Sequence, residues 1–316
     1  MTKEEFELLP RDKRWSYSRI SAFMGCPRKH YYSYIEEIRG KGNIYTQLGD
    51  FWHRLMEARN KGEDPEPILL EYEKASKAGA IDKPVDLMRF VYTEYCDTYP
   101  LDNVLYTEET LYEEWEDGDV ASFKIDCIYE QDGLNILKDY KTTINKPKYS
   151  FTSTKYNQQL LLYKAVAEEA YGIVIHGIEI EEVRLCMLEE VPINKNGKPT
   201  ADVRRLGLVK YETYFDLLSE MGIETMPEYA NALTELSKRG HPLFTRYTVD
   251  ISDTRVVDEN LTDMYESYKL AKTGCKARKR SVLCDYCDLS RLCEADYSYL
   301  DDEGREIIIE DILKKS

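Results

Sequence analysis

The sequence lacks any apolar run approaching the ~20 residues that a membrane span needs. Its opening stretch, MTKEEFELLPRDKRW, has none of the apolar character of a signal peptide. No repeat and no low-complexity linker breaks it. Positive charge is also in deficit: the formal net charge is −16. That excludes a protein that coats nucleic acid nonspecifically, because neutralising phosphates takes clustered Lys and Arg. A local basic groove remains compatible with the total. Histidine is scarce, at four residues. These absences lead to the expectation of a cytoplasmic protein with no membrane partner.

The composition that remains is that of a folded chain: 316 residues, 42% hydrophobic, enough to bury a sizeable core. We expect a single domain over 1–316, with a helical part at 16–100, a core at 101–252 and a C-terminal helix with a cysteine segment at 253–300. Helices are expected at 47–60, 66–78 and 84–98. An earlier helix, broken before Pro27, would be capped by Ser18. Three successive strands follow at 104–115, 120–130 and 134–142, separated by Asp-Gly turn signals. Beyond them come a helix over 154–172 ending at Gly172, a strand over 177–189, a strand and helices within 204–238, a strand over 244–252 and a helix over 253–272. This order predicts an α/β fold with a mixed central sheet flanked by helices.

The cysteines are unevenly distributed. Cys127 and Cys186 lie in apolar stretches and read as core residues. Cys284, Cys287 and Cys293 form a C-x2-C-x5-C cluster, which in a reducing compartment points to metal. Three thiols leave a tetrahedral set one short, and Cys26 or Cys275 could complete it.

Carboxylates are placed in a telling way on the middle strands. Asp126 sits in an apolar strand. Asp139 and Lys141 share one face of the next strand, with Tyr140 on the other. If the hairpin turns at 131–133, Asp126 approaches Asp139, and two such acids repel unless a cation lies between them. Oxygen ligands favour Mg²⁺ or Mn²⁺. His53 lies on a helix among apolar neighbours and could join them. Gln159 and Tyr163 fall on one helix face. Lys138, Lys141, Lys146, Lys148 and Lys155 form one basic stretch, and Lys272, Lys276, Arg278, Lys279 and Arg280 another.

Taken together, SYSRISAFMGCPRKHYY, GDFWHRLME, KIDCIY, ILKDYKT, QLLLY and CDYCDLSRLC resemble the PD-(D/E)XK nuclease superfamily. The likeness is to its RecB-like iron–sulfur branch, which includes AddB-like, CRISPR-associated and phage exonucleases. It runs from residue 16 to residue 293. It implies a restriction-endonuclease-like core. His53, Asp126, Asp139 and the Tyr140 main-chain carbonyl would hold the metal, Lys141 would be the catalytic lysine, and Gln159 and Tyr163 would contact substrate. Cys26, Cys284, Cys287 and Cys293 would bind a [4Fe–4S] cluster, with zinc on the same thiolates as the alternative. A further acid from the preceding strand is implied, and Glu108, Glu109 and Glu113 all qualify. Two departures stand out: Phe123 occupies a position where the family often has glycine, and the proline of the family name is missing.

The implied function is a Mg²⁺- or Mn²⁺-dependent exonuclease acting on single-stranded DNA or duplex ends. Its settings would be recombination, repair, phage DNA processing or CRISPR adaptation, with protein partners from those pathways. The alternative is a non-catalytic DNA-binding or scaffold protein with a structural metal.

Overall fold

The computed structural model describes residues 1–38, 44–115, 118–144, 157–251, 254–281, 284–285, 287–296 and 302–315. A mixed six-stranded sheet is built from β1 (Arg14–Ser16), β2 (Asn103–Glu114), β3 (Val120–Gln131), β4 (Leu134–Thr143), β5 (Ile175–Arg184) and β6 (Phe244–Val249). The helices are α1 (Lys3–Leu8), α2 (Tyr17–Gly25), α3 (Pro27–His30), α4 (Ile44–Lys61), α5 (Glu66–Lys77), α6 (Leu87–Thr98) and α7 (Gln158–Tyr171). After them come α8 (Tyr211–Glu220), α9 (Pro227–Arg239), α10 (Thr254–Lys272), α11 (Ser290–Ala295) and α12 (Asp302–Lys315).

The β3–β4 hairpin turns at Asp132 and Gly133, whose φ values of 54° and 78° are those of the tight hairpin turn that Asp-Gly favours. β4 and β5 are parallel, so the chain must cross over between them. Helix α7 lies in that crossover. It starts at Asn157, whose side chain accepts from the Leu160 N–H, and stops at Gly172 in the left-handed conformation.

Two cores cover the two faces. One gathers Ile20 and Phe23 of α2, Leu160 and Leu161 of α7 and Met264 and Tyr268 of α10 against Phe123, Ile125 and Leu137. The other packs Trp52 and Leu55 of α4, with Tyr72, Val91 and Tyr95, against Tyr129, Tyr140 and Val183. A third, smaller core belongs to the segment between β5 and β6, around Leu206, Tyr214, Tyr229 and Leu236.

Three local expectations need correction. Ser16, not Ser18, caps α2, accepting from the Arg19 N–H. Ser16 also ends β1, a three-residue strand too short to show a period-two pattern. The strand expected to run to 189 ends at Arg184, where β6 stops running beside it. Within 204–238 no strand forms, and the segment closes its own core with α8 and α9.

Asp119 ties the layers together. Its carboxylate is buried and lies 2.6 Å from the Tyr268 hydroxyl, 2.7 Å from Lys272 and 3.1 Å from Lys13. Burial alone would raise its pKa, but these donors hold it below the usual value. A depressed carboxylate contributes stability above its unfolded value, lost as pH falls through the folded one. Asp119→Ala is expected to cost about 2–4 kcal/mol, since it strands partly buried donors. Urea unfolding near neutral pH checks this.

Candidate active site

The site forms where β3 and β4 part. β2 follows one edge of β3 throughout. β1 pairs with 120–122 and β4 with 127–131 on the other edge, which leaves 123–126 between them. The β3–β4 ladder ends at Cys127 with Lys138, so the next pair in register would be Asp126 and Asp139. Instead the strands fork, and the Tyr140 N–H donates to Asp126 Oδ2 at 2.8 Å. The alternation of β3 slips at the same point. Phe123 and Ile125 face the first core, whereas Cys127 and Tyr129 face the second. This slip lets side chains from both helical layers reach the fork.

From α4, which buries Trp52, Leu55 and Met56, His53 turns back toward the strands. Its Nδ1 lies 3.1 Å from Glu108 Oε1 and 3.5 Å from Asp126 Oδ1. The pairs on either side, Thr107 with Cys127 and Glu109 with Ile125, place Glu108 opposite Asp126. Glu108 has φ +53°, a conformation that costs on the order of 1 kcal/mol for a non-glycine residue. Its side chain is buried and contacts Lys124. His53, Glu108 and Asp126 offer ligand atoms within 4.8 Å of one another, the one such trio among the described residues. An imidazole and two carboxylates suit a hard divalent ion.

Electrostatics agree with that fit. Burial, reinforced by Asp139, raises Asp126 to about 7. Burial disfavours a charged His53, yet the Glu108 hydrogen bond and the Asp126 and Asp139 charges raise it overall. Burial would also raise Glu108, but His53 and Lys124 bring it below its usual value. Asp139, buried and outside the trio, carries Lys141 at 2.7 Å.

A family model of the PD-(D/E)XK nuclease superfamily matches residues 14–294. The chain belongs to that superfamily. A solved structure described as "Crystal structure of SSO0001" aligns over 93% of this chain and 91% of its own, at 12% identity and a TM-score of 0.38. A likeness that distant carries no argument. No curated protein matches the chain.

Superfamily membership points to a metal-dependent nuclease, and the trio in the fork is a group that could bind a metal ion. Glu108 was one of three candidates in the sequence, and only the strand register singles it out. Gln159 and Tyr163 sit beside the fork: Gln159 Nε2 donates to the Tyr163 hydroxyl at 3.1 Å. Burial raises the Tyr163 hydroxyl, which also feels Asp139, Asp126 and Lys141.

In the first basic stretch Lys138 is not a surface charge. Lys138 is fully buried, 2.6 Å from Asp102 and 3.6 Å from Glu181. It points to the second core, on the same face as Tyr140. Lys146, Lys148 and Lys155 fall outside the described residues. In the second stretch Lys272 is committed to Asp119 at 2.7 Å.

The cysteines separate clearly. Cys26, Cys284, Cys287 and Cys293 line one small cavity. Cys275 packs against the first core and does not line it. Beside the cavity, Tyr32, Leu289, Leu292 and Ile312 form a fourth core. Asp296 accepts there from the Tyr32 hydroxyl at 2.6 Å and from Arg28 at 3.0 Å. No helix among the described residues is long and apolar enough to cross a membrane.

Proposed function

We propose that this chain is a metal-dependent deoxyribonuclease of the RecB-like iron–sulfur branch, an exonuclease that hydrolyses single strands or frayed duplex ends. The observation that carries the reading is the His53–Glu108–Asp126 trio in the β3–β4 fork with the Asp139–Lys141 pair beside it. Mg²⁺ or Mn²⁺ bound there would polarise the scissile phosphate and lower the pKa of a bound water. His53, Glu108, Asp126 and Asp139 are the residues proposed to hold the ion, together with the Tyr140 carbonyl. The Tyr140 N–H fixes the orientation of Asp126. Asp139 steers the Lys141 amine toward the reacting phosphate, where its charge offsets the charge that develops. Gln159 and Tyr163 would contact the substrate from the neighbouring layer.

The four thiols of the cysteine cavity are the residues proposed to hold a [4Fe–4S] cluster. Tetrahedral zinc on the same four thiols is the alternative, and visible absorption, which zinc lacks, separates the two.

The test is labelled DNA with Mn²⁺ or Mg²⁺. Asp139→Ala and Lys141→Ala are each expected to lose at least ~10²-fold in rate. Equal cleavage by wild type and both variants would discard the site. Substrates with one blocked end would read the polarity of digestion.

A further inference from the structure

Beside the fork a groove of about 570 Å³ runs along α2. Its volume is that of a ligand pocket rather than a surface dimple. At one end stand Tyr17 and Gln159. Gln159 also bonds the Tyr163 hydroxyl beside the fork, so this end of the groove lies on the side of the fork. At the other end, roughly 12 Å along the helix, the wall is formed by Cys26, Cys284 and Cys287. Between them lie Ser21 and Gly25, and Lys29 and Lys279 stand at the cysteine end. Neither lysine is held firmly: Lys29 lies 3.8 Å from Asp288, and Lys279 donates to the Met24 carbonyl at 3.3 Å.

We propose that this groove is the entry channel for a single DNA strand, which it leads along α2 from the cysteine cavity to the fork. The proposal rests on the nuclease reading and adds the strand class and the path. Lys29 and Lys279 meet successive phosphates. The Ser21 hydroxyl binds phosphate oxygens. Tyr17 offers a ring against which the base nearest the fork can stack. A groove of about 570 Å³, the volume of a drug-sized ligand, takes a short extended segment rather than a duplex. The cysteine set then has a second consequence: whatever it binds anchors the loop that walls the channel.

Two variants probe the groove by different physics. Lys29→Glu with Lys279→Glu reverses its charge. Gly25→Leu narrows it, and a Cβ at Gly25 meets nothing within 4 Å, so the first added carbon displaces no protein. Binding of a fluorescent oligothymidylate is measured by anisotropy in EDTA, so that no cleavage enters. Cleavage of bis(p-nitrophenyl) phosphate with Mn²⁺ is measured alongside, since that small ester needs the fork but no channel. Both variants are expected to bind the oligonucleotide at least ~10-fold more weakly. The charge-reversed one should also flatten the salt dependence by about 1.4 in log–log slope, for two contacts at ~0.7 each. Both should cleave the small ester as wild type does. Oligonucleotide binding unchanged in both variants overturns the channel and leaves the nuclease reading standing. Failure of the wild type to cleave either substrate defeats the nuclease reading, while the anisotropy still decides the channel.

Discussion

Asp126→Asn is expected to abolish DNA cleavage and yet make the metal-free protein more stable at pH 8. The two effects share one cause. Asp126 is 11% exposed in its side chain and shares the fork with Asp139 and Glu108. Burial and the Asp139 charge raise it from 3.8 to about 7. A carboxyl whose folded pKa lies above its unfolded value favours folding while it is protonated. Its contribution is fully present below about 4 and is lost as pH rises toward 7. Above that, forcing the charge into the fork costs on the order of 2–4 kcal/mol. An asparagine is neutral there, and its oxygen can still accept from the Tyr140 N–H. The gain should read as roughly 4–8 °C in melting temperature at pH 8 in EDTA and should fade by pH 4. Adding Mn²⁺ reverses the order, because the ion stabilises only a protein that binds it. His53 is raised as well, so binding an ion displaces protons from both groups and wild-type metal affinity climbs with pH through 7. A variant less stable than wild type with and without metal would show that Asp126 is a structural residue and not a strained ligand.

Much of this arrangement was legible in the amino acids. Asp-Gly at 132–133 set the hairpin, and the hairpin alone brings Asp126 and Asp139 to the same level. The i, i+4 spacing of Gln159 and Tyr163 put them on one face of α7. What was not legible required pairings distant in the chain. Glu108 could not be told from Glu109 and Glu113 without the register of β2 on β3. The slip at Asp126 breaks the period of two that strand reading assumes, so no pattern of apolar residues announces it. Lys138 looked like surface because lysine usually is. Its burial depends on Glu181, brought beside it by the β4–β5 pairing, and on Asp102, brought there where β2 begins its run along β3. The choice of Cys26 over Cys275 came from family likeness; in three dimensions it follows from which thiol shares a cavity with the other three.

That choice sets up the second large effect. Cys26→Ser is expected to lower the melting temperature by about 10 °C, and Cys275→Ser to leave it nearly unchanged. Cys26 and Cys284 are roughly 260 residues apart in the sequence, and a bound group that joins them closes most of the chain into one loop. A cross-link over that length restricts the unfolded state by about 5 kcal/mol in the chain-entropy picture. In a protein of this size 1 kcal/mol shifts the midpoint by roughly 2 °C. The opposing consideration is that the ends are already joined without cysteine. Asp296 holds Tyr32 and Arg28, and accepts from Arg305 at 2.9 Å. The apolar cluster of Tyr32, Leu289, Leu292 and Ile312 packs around the same place. These contacts keep the C-terminal segment docked in the variant but add no loop closure to the unfolded chain, so they soften the loss and do not cancel it. They also dictate its form. Without the thiolate, the residues beyond 275 should release before the sheet melts, turning one thermal transition into two. Cys275, half-buried against the first core, has only packing to lose. Calorimetry on both variants, with visible absorption to follow any iron–sulfur chromophore, separates the cases. A single unshifted transition in Cys26→Ser, or equal losses in the two variants, would mean that the four thiols share a cavity without sharing a ligand.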